Sequence, residues 1–282
     1  MSNEIKNNNS NFGQNLLESL NIKLVVGSIL SIFLIFLLWE STYKYSCLSL
    51  IFPIIILFVI STSFISKKMQ ERICHKNCYI NNSSILAKFL TSRIMVTIFY
   101  IIVSIFMAIT IMQNILEFTS QLWTYFLIHI LLVIYLYKIF LRMLKNTINE
   151  SFLKIYVREI TINISSLILF LVYVFIIIKF GYLPEYMDDT LELTLQNATN
   201  SVKSDCIYIE YILRIKTEID ASFWFMLNQG TEILKEKYFV AMVWLTFIFI
   251  NGFALLGINR FIVQTVYFLD DFLNKQKDVY EK

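Results

Sequence analysis

The chain is 282 residues long, 57% hydrophobic and 16% charged, with a formal net charge of +3. Water-soluble domains carry about 25% charged residues, so this composition excludes an ordinary soluble enzyme or binding domain, and the mean hydropathy of +0.64 agrees. So small a positive balance also supplies no basic tract of the kind nucleic acid requires.

Residues 1–21 begin with the Asn-rich NEIKNNNSN, which has nothing to bury and predicts disorder. The stretch FGQNLLESLNIK that follows suits a segment lying on the membrane surface before the first crossing. The first apolar run ends in LLWEST rather than in a small-residue cleavage site, so this N-terminal segment is expected to be retained. Six apolar runs then match the about 18 to 21 residues that a helix needs to cross a hydrocarbon core of about 30 Å. They are Ile22–Trp39, Ser46–Ile65, Ile94–Met112, Leu122–Leu141, Ile160–Ile178 and Tyr238–Ile258. In lipid the backbone must bond to itself, so such runs predict helices, and the missing two-residue alternation argues against a β-barrel. The predicted fold is an all-α integral membrane protein, a bundle of six transmembrane helices. Residues 22–178 form a five-helix membrane region, 179–237 an outer loop, 238–258 the sixth helix and 259–282 an amphipathic tail.

Lys and Arg are retained on the cytoplasmic side of a membrane, so loop charge predicts orientation. One side holds the N-terminus, the 66–93 loop, the 138–159 stretch and the tail, with 17 of the 24 Lys and Arg and a net charge of +8; the other nets −5. Both termini are therefore expected in the cytoplasm, and the richness in Ile, Asn and Lys suggests a bacterial inner membrane. Cys74 and Cys78, in CHKNC with His75 between them, lack the second ligand pair that structural zinc needs, so no metal is expected. Cys47 and Cys206 fall together on the outer side, where a bridge needs an oxidising compartment; free thiols are the plainer expectation.

The short connections Glu40–Tyr45 and Gln113–Gln121 predict that helices one and two, and three and four, are antiparallel neighbours. In the long outer loop, Tyr208, Ile212, Ile215, Ile219, Met226 and Ile233 recur at helical spacing and predict an amphipathic helix whose apolar face packs on the bundle or on a partner. Within it, ASFWFMLNQG sets five apolar residues, Phe223–Leu227, among hydrophilic ones. Such a run is too short to span. Phe223, Trp224, Phe225 and Asn228 are therefore candidates for an interfacial dip, a re-entrant hairpin with Asn228-Gln229-Gly230 at its tip, or a partner site. Before the fifth helix, Ile148, Phe152, Ile155 and Tyr156 predict one face of a short amphipathic helix. In the tail, Ile262, Val266, Leu269 and Leu273 do the same, either extending the sixth helix or lying on the inner leaflet.

The chain lacks HExxH, GxGD, GxSxG and Walker patterns and has two His, His75 and His129. With no nucleophile–base pair and no metal cage, neither catalysis nor a cofactor is expected. With the helix limits above, no acid lies inside a helix, which argues against ion-coupled carriage. Pro53 is the only proline inside a run and Gly totals 6, too few for the broken helices that carriers favour. His129 is expected to be neutral and bonded to a neighbouring helix; a pH sensor or proton path is the alternative. Asn251, Ala254 and Gly257, with Gly27 and Ser31, read as a packing seam. Ser61, Thr62, Ser63 and Ser66 of helix two and Thr161, Asn163, Ser165 and Ser166 of helix five suit a wet vestibule or simple bonding to backbone.

Six spans, both termini inside, a surface segment before the first span and a long outer segment before the sixth resemble, in layout over most of the chain, the permease subunit of the ABC-2 export class. That resemblance implies that Ser66–Arg93 contacts a separate ATPase, since the chain has no nucleotide site. Three functions are expected from these features. The first is an oligomeric pore-like conduit for ions or small solutes, lined by His129, Asn163, Ser166 and Asn251. The second is a sensor, immunity or scaffold protein binding a membrane or periplasmic partner through residues 180–237. The third is the export permease.

Overall fold

A computed structural model of the chain describes residues 22–79, 93–180, 184–233 and 237–280. The expectations for residues 1–21, and for residues 80–92 of the loop after helix two, lie outside these. Among the described residues there are eight α-helices, one 3-10 turn and no strand. They are α1 (Ile22–Thr42), the turn Cys47–Leu50, α2 (Ile51–Tyr79), α3 (Arg93–Leu116), α4 (Ser120–Leu144), α5 (Glu150–Phe180), α6 (Leu191–Ser201), α7 (Ile207–Ile233) and α8 (Lys237–Tyr280).

Six of these, α1 to α5 and α8, are long and apolar enough to cross a membrane, which marks an integral, multi-pass membrane protein. The α1 pattern shows why. Leu24, Ser28, Ile32, Phe36 and Trp39 are buried at steps of four and three, while Val26, Leu30, Leu34 and Leu37 on the other side are exposed. A helix apolar on both faces needs protein on one and lipid on the other. We call the end of the bundle where α8 finishes the tail face. The opposite end, where α6 and α7 lie, is the hairpin face.

The helices are longer than the apolar runs that announce them. α2 continues fourteen residues past Ile65 to Tyr79. The amphipathic segment before the fifth run joins it in one helix, Glu150–Phe180. Its buried face there is Leu153 and Val157, while Phe152 and Tyr156 are exposed, one position off the face the spacing picked. The sixth run and its tail are one helix of 44 residues, roughly 66 Å long at 1.5 Å per residue. α8 contains no Pro, and Gly257 beside the junction of the apolar run and the tail is accommodated within the helix, so the backbone bonding runs on unbroken.

α8 is the hub of the bundle and touches α1, α2, α3, α4, α5 and α7. Its most buried stretch, Ile258 to Val266 with only Thr265 less covered, lies past the Ile258 limit drawn from hydropathy. Small residues permit this crowding. An added Cβ on Gly257 would stand 3.1 Å from Met107 Cβ and Ile111 Cδ1 of α3, and one on Gly27 would stand 3.8 Å from Leu269 of α8. Gly257 and Gly27 thus serve the packing seam read from sequence. At the centre Phe36 packs on Phe126 and Phe261, with ring centroids 5.6 and 5.5 Å apart.

Neighbour relations differ from expectation. α2 packs along α3 and α4 along α5, whereas α3 and α4, joined by residues 117–119, make at most a glancing contact. A short turn sets where two helices meet and that they run antiparallel; the side chains further along decide whether they stay together.

At the hairpin face, α6 and α7 form a helical hairpin tied to the turn between α1 and α2. A Cys47–Cys206 disulfide joins them, with Cα atoms 5.0 Å apart. Ser204 Oγ donates to the Tyr43 carbonyl (2.6 Å) and Asp205 N to the Lys44 carbonyl (2.8 Å). The free-thiol expectation for this pair is therefore corrected: residues 159 apart in sequence are brought together by the hairpin folding back over α1. The amphipathic helix exists as α7, but its buried face is Ile209, Leu213, Thr217, Ala221 and Phe225. Tyr208, Ile212, Ile215, Ile219 and Met226, the face expected to pack, are the exposed ones. The helix is apolar on two sides, and periodicity alone does not say which side meets protein.

Candidate functional site

The tail-side half of the bundle holds a run of buried polar side chains along α8: Asn259, Arg260, Gln264 and Asp270. Asn259 is at its upper end. Its Nδ2 donates to the Ile162 carbonyl (2.9 Å) and to Ser166 Oγ (2.7 Å), and Ser165 Oγ donates to its Oδ1 (3.1 Å). The contact with a backbone carbonyl fixes the amide orientation, so the Oδ1 that lies 3.0 Å from His129 Nε2 is an acceptor and Nε2 carries the proton. His129 is thus bonded to a neighbouring helix, as expected, through a partner that the sequence reading passed over.

At the next residue of α8, Arg260, begins a charged cluster. Arg158 of α5 is only 1% exposed and uses all its donors. Nε and Nη2 reach Glu159 Oε1 (3.1 and 2.9 Å), Nη1 reaches Ser66 Oγ and Gln264 Oε1 (2.9 and 3.1 Å), and Nη2 also reaches the Ser63 carbonyl (3.0 Å). Arg260 of α8 lies over the Phe64 ring at 3.9 Å. It donates to Ser63 Oγ at 3.1 Å and to Glu159 Oε1 and Oε2 at 3.4 and 3.3 Å. Lys67 Nζ of α2 closes the ring, 3.1 Å from Glu159 Oε2, with its side chain 35% exposed. Lys67, Arg158 and Arg260 therefore share one carboxylate, for a cluster charge of +2.

The depth of this cluster matters. Arg260 lies within the Trp244–Gln276 span, and Arg158 lies six residues inside the Phe152–Phe175 span. Nearer the tail face the charges are matched: Lys138 with Asp270 (2.5 Å) and Lys154 with Asp271 (2.6 Å). Those partners are ten and eleven residues along α8 from Arg260, roughly 15 Å away. The expectation that no acid lies inside a helix is thus corrected for Glu159. Arg158 and Glu159 look like loop residues when the fifth run is started at Ile160, because hydropathy drops there. A signal was available: in α8 the apolar pattern resumes after Asn259-Arg260 as FIVQTVYFL, which is unusual for residues already outside a membrane.

The other candidates fall apart spatially. Asn163 is exposed, whereas Ser165 and Ser166 on the same helix are buried. Asn251 is part-buried, eight residues above Asn259 on α8. Ser61 and Thr62 bond back to the Phe58 and Val59 carbonyls, whereas Ser63 and Ser66 hold the two arginines. At the hairpin face, α7 runs unbroken through residues 228–230, so no hairpin tip forms there. Phe223 and Trp224 pack with Leu227 against Trp244 of α8, Phe225 is buried, and Asn228 is exposed.

Two further features occupy that face. Gln113 Nε2 donates to Thr217 Oγ1 (2.7 Å), and Lys216 pairs with Asp220 on the same helix. Surrounding protein raises the Asp220 pKa above its ordinary value even against the Lys216 charge. Nearby Glu117 is pushed up to about 7 by protein crowding and then by the Asp220 carboxylate; its exposed edge lets water screen part of that effect. A cavity of about 160 Å³ lies between α1, α2, α3 and α7, lined only by apolar residues including Trp39, Pro53, Ile105 and Leu213. Among the described residues, no group of three metal-ligating side chains occurs. Comparison with protein families, curated proteins and solved structures finds no match.

Proposed function

We propose that this protein is a membrane conduit for a small charged solute, held closed in the conformation described. The observation that carries this reading is the buried strip from Asn259 through Arg260 and Gln264 to Asp270, with an ion cluster that lies inside the apolar spans of α5 and α8. Charged groups at that depth are costly and mark solute or ion pathways. Phe36, Phe126 and Phe261 fill the bundle beside the upper end of the strip and are its stopper. The excess of Lys and Arg at the tail face supports an orientation with that face in the cytoplasm. Of the residues first picked as lining, His129 and Ser166 belong to this strip; Asn163 and Asn251 do not.

The test is reconstitution of the purified full chain into liposomes, with solute flux and conductance as readouts, alone and with any ATPase that co-purifies. Flux from the protein alone supports a conduit. Flux only with an ATPase makes it an export permease, and silence in both arms overturns the reading. The orientation is tested by labelling Asp188→Cys and Lys68→Cys in intact cells; both in one compartment would overturn it.

A second reading rests on α7. Tyr208, Tyr211, Ile212, Ile215 and Ile219 are exposed on a helix pinned by a disulfide, which suits a partner-binding surface on the outer side. Replacing that face with Ser then abolishes the cellular function and leaves liposome behaviour unchanged.

A further inference from the structure

Among the described residues, the cluster formed by Lys67, Arg158, Glu159 and Arg260 carries more positive charge than its surroundings neutralise. Coulomb interactions are strong where water is excluded, and the cost of an unmatched buried ion is several kcal/mol. Nearer the tail face Asp270 pairs with Lys138 and Asp271 with Lys154, and the extra cation there, Lys275 on Asp271, is 76% exposed to solvent. Here three cations meet one acid. The arrangement also leaves donors in hand. Among the described residues, Arg260 makes three hydrogen bonds of the five that a guanidinium offers, and Lys67 makes one of three. Both belong to the side of the cluster where Lys67 is partly open, whereas Arg158 is saturated and serves to hold Glu159 and the Ser63–Ser66 turn in place.

We infer that this cluster is a binding site for a phosphate-class oxyanion, held by Lys67 and Arg260. A phosphate monoester or free phosphate carries about −1.5 to −2 charge near neutral pH, which matches the surplus, a lipid phosphodiester offsets part of it, and guanidinium donors fit the oxygens of each. The inference rests on the conduit reading for its meaning, since it then names the solute class, but binding is measured without flux. The phosphate group has two sources, a soluble anion or the headgroup of an anionic lipid, and the assay separates them.

The thermal unfolding midpoint of the purified full chain is measured in detergent with inorganic phosphate against chloride at equal ionic strength. It is measured again in nanodiscs of phosphatidylcholine with and without phosphatidylglycerol. A saturable rise with inorganic phosphate identifies a soluble anion; a rise only with phosphatidylglycerol identifies a lipid headgroup. In either case Lys67→Gln, at the open edge of the cluster, weakens the apparent affinity about tenfold, the worth of one charge-assisted hydrogen bond. Glu159→Gln strengthens it by removing the competing carboxylate. The inference is overturned if neither source raises the midpoint, or if Lys67→Gln and Glu159→Gln leave the affinity where it was. A silent liposome assay with phosphate binding intact overturns the conduit alone; flux without phosphate binding overturns this site alone.

Discussion

Replacing Glu159 by Gln is the sharpest perturbation of the buried cluster. The carboxylate accepts from Arg158 at 2.9 and 3.1 Å, from Arg260 at 3.3 and 3.4 Å, and from Lys67 at 3.1 Å. At an effective dielectric of about 20, two unit charges at about 4 Å interact by about 4 kcal/mol, and Glu159 makes three such contacts. Desolvation offsets much of that sum, and breaking one buried pair in proteins costs about 3–5 kcal/mol. Gln keeps the shape and one acceptor but takes the cluster from +2 to +3. We expect a loss of about 3–5 kcal/mol, measured by equilibrium unfolding in mixed detergent micelles in chloride buffer. Adding Lys67→Gln restores the cluster charge, so the double variant should be more stable than the two single losses summed. A Glu159→Gln protein within about 0.5 kcal/mol of the parent, the range of ordinary surface changes, or strict additivity in the pair, would refute the electrostatic account.

Asn259→Ala is expected to cost about 1–3 kcal/mol, because it strands His129 and the Ile162 carbonyl in a buried place, whereas Asn163→Ala on the exposed face should be neutral in the same unfolding assay. Gly257→Val drives methyl groups into Met107 and Ile111 and should cost about 1–3 kcal/mol; a wild-type midpoint would mean that α3 and α8 are further apart than 3.1 Å contacts imply. Cys47 and Cys206 should react with maleimide in denatured protein only after reduction, and Cys206→Ser should lower stability by about 2 kcal/mol, the low end for disulfides because the bilayer already restricts the unfolded chain. The raised Glu117 and Asp220 values mean that the folded state holds these protons more tightly than the unfolded one. Their contribution therefore falls as pH rises from about 4 to about 7. Glu117→Gln and Asp220→Asn should flatten that slope in a midpoint-versus-pH series, and an unchanged slope would count against it.

Six crossings were legible in the residue order because the bilayer asks one question of each segment: whether about 18 to 21 consecutive residues tolerate oil. That test is local, so composition over a short window answers it, and the runs beginning at Ile22 and Ile94 reappear as α1 and α3 almost at their edges, while the run beginning at Ser46 reappears as the first part of a longer α2. The same logic exposed the packing role of Gly257 and Gly27, since a missing side chain is visible in the letters. What the window could not see were interactions whose partners are far apart in the chain. Arg158 and Arg260 are 102 positions apart in the sequence and meet across Glu159 and Ser63. Taken singly, each is a polar interruption that ends a span; taken together, they satisfy one another inside it. The same reason explains α7, where two apolar faces were equally readable and only the docking onto α3 and α8 chose Ile209, Leu213 and Ala221 over Tyr208, Ile212 and Ile219. It also explains the Cys47–Cys206 bridge. Hydropathy is a property of one residue beside its neighbours in sequence, whereas charge compensation and disulfide geometry are properties of pairs, and the tertiary fold alone decides which pairs exist.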